Sequence, residues 1–196
     1  MNQRIDDTAL KQLFRDARSQ NAWKDQPVDD QILRDIWDLM KMPPTSANCS
    51  PARIVFVTSA AAREKLRPAL IDSNVEKIMT APVTAIVGMD MAFPDILPRL
   101  FPHTDARSWF AGNDALIAQT AFRNSTLQGA YFMMAARACG LDCGPMSGFD
   151  NDMVDQAFFA GTSVTSNFLC AIGYGNGEKL FARSPRLEFD EACKIA

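Results

Sequence analysis

NDALIAQTAFRNSTLQGAYFMMAARACG, residues 113–140, decides the fold. Asn113 or Asp114 can accept from the free N–H groups of a first helical turn, and Gly140 suits the left-handed residue that closes a helix. Between them run about 26 residues without proline, near 39 Å of helix at ~1.5 Å per residue. Apolar side chains fall on nearly every face from Ala115 to Ala138, which predicts a central helix packed on all sides. Arg123, Asn124, Ser125 and Gln128 interrupt it midway. Burying them unpaired is costly, so an interface or a ligand is expected there.

Outward from this helix, short apolar runs mark strands. Arg53 to Val57, with Ile54–Val57 consecutive and apolar, and Val83 to Gly88 read as strands covered on both faces, and Asn167 to Gly173 reads as a third. Helical patterns lie between them: Asp7 to Ser19 with Leu10, Leu13 and Phe14; a helix capped by Asp29 or Asp30 with Ile32, Ile36, Leu39 and Met40 inward; Ser59 to Leu70; Asn74 to Met79; and Asp150 to Phe159. Gly144 to Phe149 reads as a tight loop. Met91 to His103, with Pro94, Pro98 and Pro102, is a long irregular excursion of the kind that forms a substrate lid. Strands separated by helices predict a layered sandwich, with helices on both faces of a small sheet.

Composition narrows the function. The chain has 196 residues, 47% hydrophobic and 22% charged, with net charge −3. One domain spanning residues 1–196 is expected. A basic face for nucleic acid is not expected, and no apolar run reaches the roughly 18 residues of a membrane span. Residues 1–11 lack the apolar core of a signal peptide, which predicts a cytosolic protein. Five cysteines without a Cys-x-x-Cys pair read as free thiols, and a single histidine, His103, leaves no metal site in prospect. Chemistry without metal or histidine usually belongs to a bound cofactor. Gly173-x-Gly175-x-Gly177 follows a strand but opens no helix, so a dinucleotide fingerprint fails there.

Met42-Pro43-Pro44-Thr45-Ser46-Ala47-Asn48-Cys49-Ser50-Pro51-Ala52-Arg53 is the candidate ligand loop. Prolines fix its course, while hydroxyls, an amide and free N–H groups suit the polar edge of a flat heteroatom ligand. Asn74 and Lys77 sit one turn apart on a helix, an amide and an ammonium on one face. Arg18 and the tail cations Lys179, Arg183 and Arg186 could hold a phosphate together. The tail, residues 175–196, has little hydrophobic pattern and is of the kind that embraces a second subunit.

At these segments, and at Phe101-Pro102-His103, Asp105-Ala106-Arg107-Ser108-Trp109-Phe110, Ala121-Phe122-Arg123-Asn124-Ser125 and Gly144-Pro145-Met146-Ser147-Gly148-Phe149-Asp150, the chain resembles the FMN-dependent nitroreductase family along nearly its whole length. Within that family it is most similar to the branch that reduces malonic semialdehyde (3-oxopropanoate) in bacterial uracil degradation. The resemblance implies an α+β fold, a three-layer α/β/α sandwich in an intertwined homodimer, with two FMN sites at the subunit interface. It implies that Arg18, Ser19, Asn21, Arg183 and Arg186 grip the FMN phosphate and ribityl chain. Pro44, Thr45, Ser46 and Asn48 would border the flavin, Asn74 and Lys77 its pyrimidine edge, and Pro145, Met146, Ser147 and Gly148 its N5 and O4. NADPH or NADH would reduce FMN, leave, and give way to 3-oxopropanoate, which takes hydride from N5 in a ping-pong cycle. Arg107, Arg123 and Arg53 are candidate anchors for its carboxylate. The chain departs from the commoner family pattern at Ala17 and Asn21, where basic residues of the phosphate grip are missing, and at Ser147 in place of Glu and Ala52 in place of Trp, which imply a smaller, less acidic pocket. The alternatives are a broad nitro or quinone reductase, or a non-catalytic flavin-binding redox protein using Cys49.

Overall fold

The computed structural model describes residues 3–196. The elements in chain order are α1 (Asp7–Leu10), α2 (Asp30–Met40), β1 (Ala52–Val57), α3 (Ala60–Leu66), α4 (Asp72–Thr80), β2 (Val83–Asp90), α5 (Leu97–Leu100), α6 (Asp114–Ala138), β3 (Asp142–Met146), α7 (Asn151–Phe158), β4 (Val164–Gly173) and α8 (Phe189–Ala192). The strands form one antiparallel sheet in the order β1-β2-β4-β3. Helices cover both of its faces, so the fold is a mixed α+β sandwich of three layers.

Alternation along the strands builds the layers. Ala52, Ala85, Cys143, Cys170 and Ile172 point to one face, against Leu33, Ile36 and Met40 of α2 and Phe132, Ala135 and Ala136 of α6. Val57, Ile86, Met146, Leu169 and Ala171 point to the other, against Leu66 of α3, Ile78 of α4 and Val154 of α7. Each Val, Leu, Ile, Phe or Met among them contributes roughly 1.5–3 kcal/mol when fully buried. Both cores are therefore stitched by the same strands.

Local signals fix the helix ends as expected. Asn113 accepts from Leu116 N–H, Asp29 from Gln31, Ser59 from Ala62 and Asp150 from Met153. Gly140 follows α6 with φ +83°, the left-handed conformation that a Cβ disfavours.

Several expectations need correction. The run at Gly144 is not a loop: Asp142–Met146 is strand β3, hydrogen-bonded to β4 on one side. Pro145 is accepted because β3 lies at the sheet edge, where a missing N–H breaks no ladder. The first helix does not reach Ser19. It widens into a π-helical turn at Lys11–Arg15, closed by Asp16 N–H to Lys11 C=O at 2.9 Å, and ends there. Ser59 opens α3, but α3 stops at Leu66 and gives way to a 3₁₀ turn at Arg67–Ala69. Leu39 of α2 is exposed while Leu33 takes its place inward.

The central helix is not packed all round either. Phe122 is 56% exposed and Leu127 42%, on a face of α6 that the rest of this chain leaves open. Met91 to His103, read as irregular, forms short helical turns at Phe93–Ile96 and Leu97–Leu100, which with a further turn at Ala106–Phe110 lie over a third small core of Cys49, Phe93, Leu97, Ala106, Phe110 and Ala121. No helix among the described residues is long and apolar enough to cross a membrane.

Candidate functional site

Residues far apart in sequence meet in one cleft of about 500 Å³: Arg18, Ser19, Asn21, Lys77, Pro145, Arg183 and Arg186 all line it. The edge strand β3 organises it. Gln20 donates its backbone N–H to Cys143 C=O at 2.9 Å, and Ser19 bridges Cys143 in parallel, so residues 18–21 lie along the open side of β3. The tail then folds back over them. Asn21 donates to Lys179 C=O, Arg18 to Phe181 C=O, and Arg183 to the carbonyls of Arg15 and Ala17 at 2.6 and 3.1 Å. Lys179 itself pairs with Glu76.

Lys77 enters from α4. It is 8% exposed and has no carboxylate partner among the described residues. Burial lowers its pKa from the ordinary lysine value, and the neighbouring Cys170 thiol offsets this in part. Its path crosses Gly144: a Cβ there would lie 2.4 Å from Lys77 Cε and 2.6 Å from the Gln20 carbonyl oxygen. Asn74, on the same helix, donates to Gly148 C=O at 2.9 Å and pins the turn after β3. Met146 is buried at the end of β3, and Ser147 is exposed beyond it. Asn74, Lys77 and Pro145–Gly148 are thus neighbours.

Pro44, Thr45, Ser46 and Asn48 are elsewhere. None of them lines that cleft. Their loop is held by the polar middle of α6: Asn124 Oδ1 accepts from Ser46 N–H at 2.9 Å, and Gln128 Oε1 from Ala52 N–H at 2.9 Å. Thr45 Oγ1 accepts from Ser50 N–H, and Asn48 donates to Leu100 C=O. The polar residues of α6 that suggested a ligand are instead buried and paired within the chain, Ser125 with Asn167. Arg123 differs, being exposed. Ala47, Asn48 and Ser50 have φ of +48°, +50° and +38°. Each left-handed non-glycine residue costs on the order of 1 kcal/mol and persists when its surroundings over-determine it.

Of the three candidate anchors, two already have partners. Arg53 pairs with Asp90 at 2.5 Å, whose other oxygen accepts from Ser163 and Ala92, and Arg107 pairs with Asp95 at 2.8 Å. Arg123, on the open face of α6, has no ion pair among the described residues. Cys49 is fully buried, and burial pushes its thiol up to about 11 despite the Thr45 hydroxyl. A thiol so poorly ionised is a weak redox nucleophile.

Sequence reasoning missed Arg137, which also lines the cleft and donates to Leu13 C=O. The donor set of the cleft is therefore four guanidiniums, an ammonium, two hydroxyls and an amide, with no carboxylate among its lining residues. Such a set fits a phosphorylated, oxygen-rich ligand. Among the described residues no group of three or more His, Cys, Asp or Glu is placed to hold a metal ion.

Comparison with known proteins accords with this donor set. The model of the Nitroreductase family matches residues 14–175. A protein of Burkholderia lata, provisionally named NADH dehydrogenase/NAD(P)H nitroreductase, is 64% identical over 191 residues, covering 97% of this chain and 98% of the relative. A protein of Cupriavidus pinatubonensis with the same provisional name is 60% identical over 190 residues, covering 95% and 97%. Among solved structures, a provisionally named nitroreductase from Exiguobacterium sibiricum, determined in complex with FMN, superposes with a TM-score of 0.85 at 19% identity, covering 100% of both chains.

Proposed function

The chain belongs to the nitroreductase family, and from that premise we propose that it reduces 3-oxopropanoate to 3-hydroxypropanoate with electrons from NAD(P)H. It is an NAD(P)H-dependent flavin oxidoreductase whose cofactor is FMN. The chemistry FMN supplies when bound is hydride transfer, in from the nicotinamide and out to the substrate carbonyl carbon after the nicotinamide has left. We assign the reaction to the cytosol and to the breakdown of pyrimidines.

The chain's own residues bind and orient. Arg18, Ser19, Asn21, Arg183 and Arg186 hold the phosphate and ribityl chain, Asn74 and Lys77 the pyrimidine edge, and Pro145 to Gly148 the N5 and O4 side. Pro44, Thr45, Ser46 and Asn48 belong to the cleft of a second copy, so the working unit is a homodimer with each site completed by its partner. The open apolar face of α6 supports this, since Phe122 and Leu127 otherwise stand in water. We assign residues 187–196 of the tail to the partner as well. Leu187 and Phe189 alternate with Glu188 and Asp190, while a cavity of about 680 Å³ beside edge strand β1 offers Trp37, Phe56 and Leu100 with Arg99, which has no ion pair among the described residues. The charges are complementary.

The observation that carries the choice of a small anionic substrate is Arg123, exposed on the open face of α6 and without an ion pair among the described residues, so that its charge can meet a carboxylate. Ser147 and Ala52, where the family commonly has Glu and Trp, agree with it. Arg123 is the anchor we favour, because its charge is uncommitted. Arg123→Gln is expected to raise the KM for 3-oxopropanoate at least tenfold, with reduction of the flavin by NADPH unchanged; a charge-assisted hydrogen bond contributes roughly 1.5–3 kcal/mol. Steady-state and half-reaction kinetics on the same preparation check it.

The rival, a broad nitro or quinone reductase, draws on the names of the two relatives. The two readings separate in one spectrophotometric experiment. The yellow protein is bleached with NADPH, then mixed with 3-oxopropanoate or with nitrofurazone. Colour restored much faster by the oxo acid supports the proposal, and comparable or faster return with nitrofurazone sinks it.

A further inference from the structure

From Gly177 to the end of the chain every residue but Leu180 is exposed, including Phe181 at 79%, Leu187 at 70% and Ile195 at 86%. No apolar anchor holds this segment to its own body. What sets its course is polar: the Asn21 amide on Lys179 C=O, the Arg18 guanidinium on Phe181 C=O, the Arg183 guanidinium on two carbonyls of residues 15–17, and the Lys179–Glu76 pair. Arg18 and Arg183 thus have two tasks. They tie the root of the tail to the first helix, and they stand in the cleft assigned to the cofactor phosphate. Their present acceptors are neutral carbonyls, and no carboxylate lines the cleft to balance the guanidiniums. Without an anion, mutual repulsion of the cations opposes the seating of the tail.

We propose that residues 179–186 form a clasp shared by cofactor and subunit contact. A phosphate seated among Arg18, Arg183 and Arg186 fixes the root of the tail, and a fixed root favours docking of residues 187–196 on a second copy. The inference rests on the FMN-binding homodimer proposed above and adds to it a thermodynamic coupling. Coupling of this kind is reciprocal: whatever factor FMN adds to dimer affinity, dimerisation adds to FMN affinity. The ten residues beyond Arg186, four of them in α8, span at most about 26 Å, enough to leave their own subunit.

The test strips flavin from the full-length protein and returns either FMN or riboflavin, which lacks the phosphate. Flavin fluorescence reports binding, analytical ultracentrifugation the dimer dissociation constant, and hydrogen exchange the order of residues 179–196. FMN is expected to tighten the dimer roughly tenfold more than riboflavin does and to slow exchange in the tail, which riboflavin leaves unchanged. Binding of FMN with both readouts unchanged overturns the clasp and leaves the flavin reading standing. Failure of FMN to bind overturns both. A chain ended after Arg186 keeps every cleft arginine and is expected to bind FMN about tenfold more weakly. Wild-type affinity in that variant, with the dimer lost, also overturns the clasp.

Discussion

Lys77→Met is expected to make the flavin-free protein more stable and the enzyme slower. The ammonium is nearly buried and has no carboxylate beside it among the described residues, so the folded state carries a desolvation cost that methionine, of similar length, does not. The gain in the flavin-free state is expected to be on the order of 1–2 kcal/mol at neutral pH, read from urea unfolding. The sign with pH is fixed by the direction of the shift. A lysine whose folded pKa lies below 10.5 binds fewer protons folded than unfolded between the two values, so stability rises with pH across that window. Lys77→Met is expected to flatten that alkaline rise. On the proposed assignment the same charge would meet the negative charge that reduction brings to the cofactor, and losing such a preorganised group costs about 100-fold in rate. A variant both less stable and equally fast would refute the assignment.

Gly144→Ala is expected to disable the site from beneath. The new methyl group meets Lys77 Cε at 2.4 Å and the Gln20 carbonyl at 2.6 Å. Lysine can swing aside. The Gln20 carbonyl cannot, because its peptide segment is fastened to β3 through the bond from Gln20 N–H to Cys143 C=O. Relief therefore requires residues 18–21 to lift from the strand, carrying Arg18 and Ser19 out of place. Overpacking of this kind costs about 1–3 kcal/mol, and FMN affinity is expected to fall roughly 100-fold. Urea unfolding and fluorescence titration measure the two effects, and an unchanged flavin affinity would show that the close approach is incidental.

How far these features could be read in advance follows from the range of the forces involved. The caps at Asp29, Ser59, Asn113 and Asp150 were legible because a cap acts within three residues. Strand β3 was not, since Gly144-Pro145 has the local chemistry of a turn and its pairing partner, Pro145 with Cys170, is 25 positions away. The open face of α6 was hidden for a different reason: Phe122 and Leu127 look the same in sequence whether they await their own chain or another. Arg137 was passed over because an arginine in the last turn of a helix is what the helix dipole favours anyway. The convergence of Arg18 with Arg183 and Arg186 was legible as chemistry, cations in want of one anion, whereas Lys179, read together with them, pairs with Glu76 instead. The separation of Pro44–Asn48 from these arginines was not legible, because the order of residues does not tell which distant segments lie together in space.

The π-helical turn at Lys11–Arg15 has a consequence for what lengths of chain this site tolerates. A single extra residue in an ordinary helix rotates everything beyond it by about 100°. A π turn takes up that residue as girth and leaves the phase on either side nearly unchanged. The amino-terminal helix therefore behaves as a slip joint: one residue removed between positions 11 and 15 should close the joint into plain α-helix with Arg18 still aimed inward. From Asp16 to Asn21, where the chain runs from the helix onto the sheet edge, there is no such joint, and a one-residue change there would turn Ser19 and Asn21 to the wrong side of the strand.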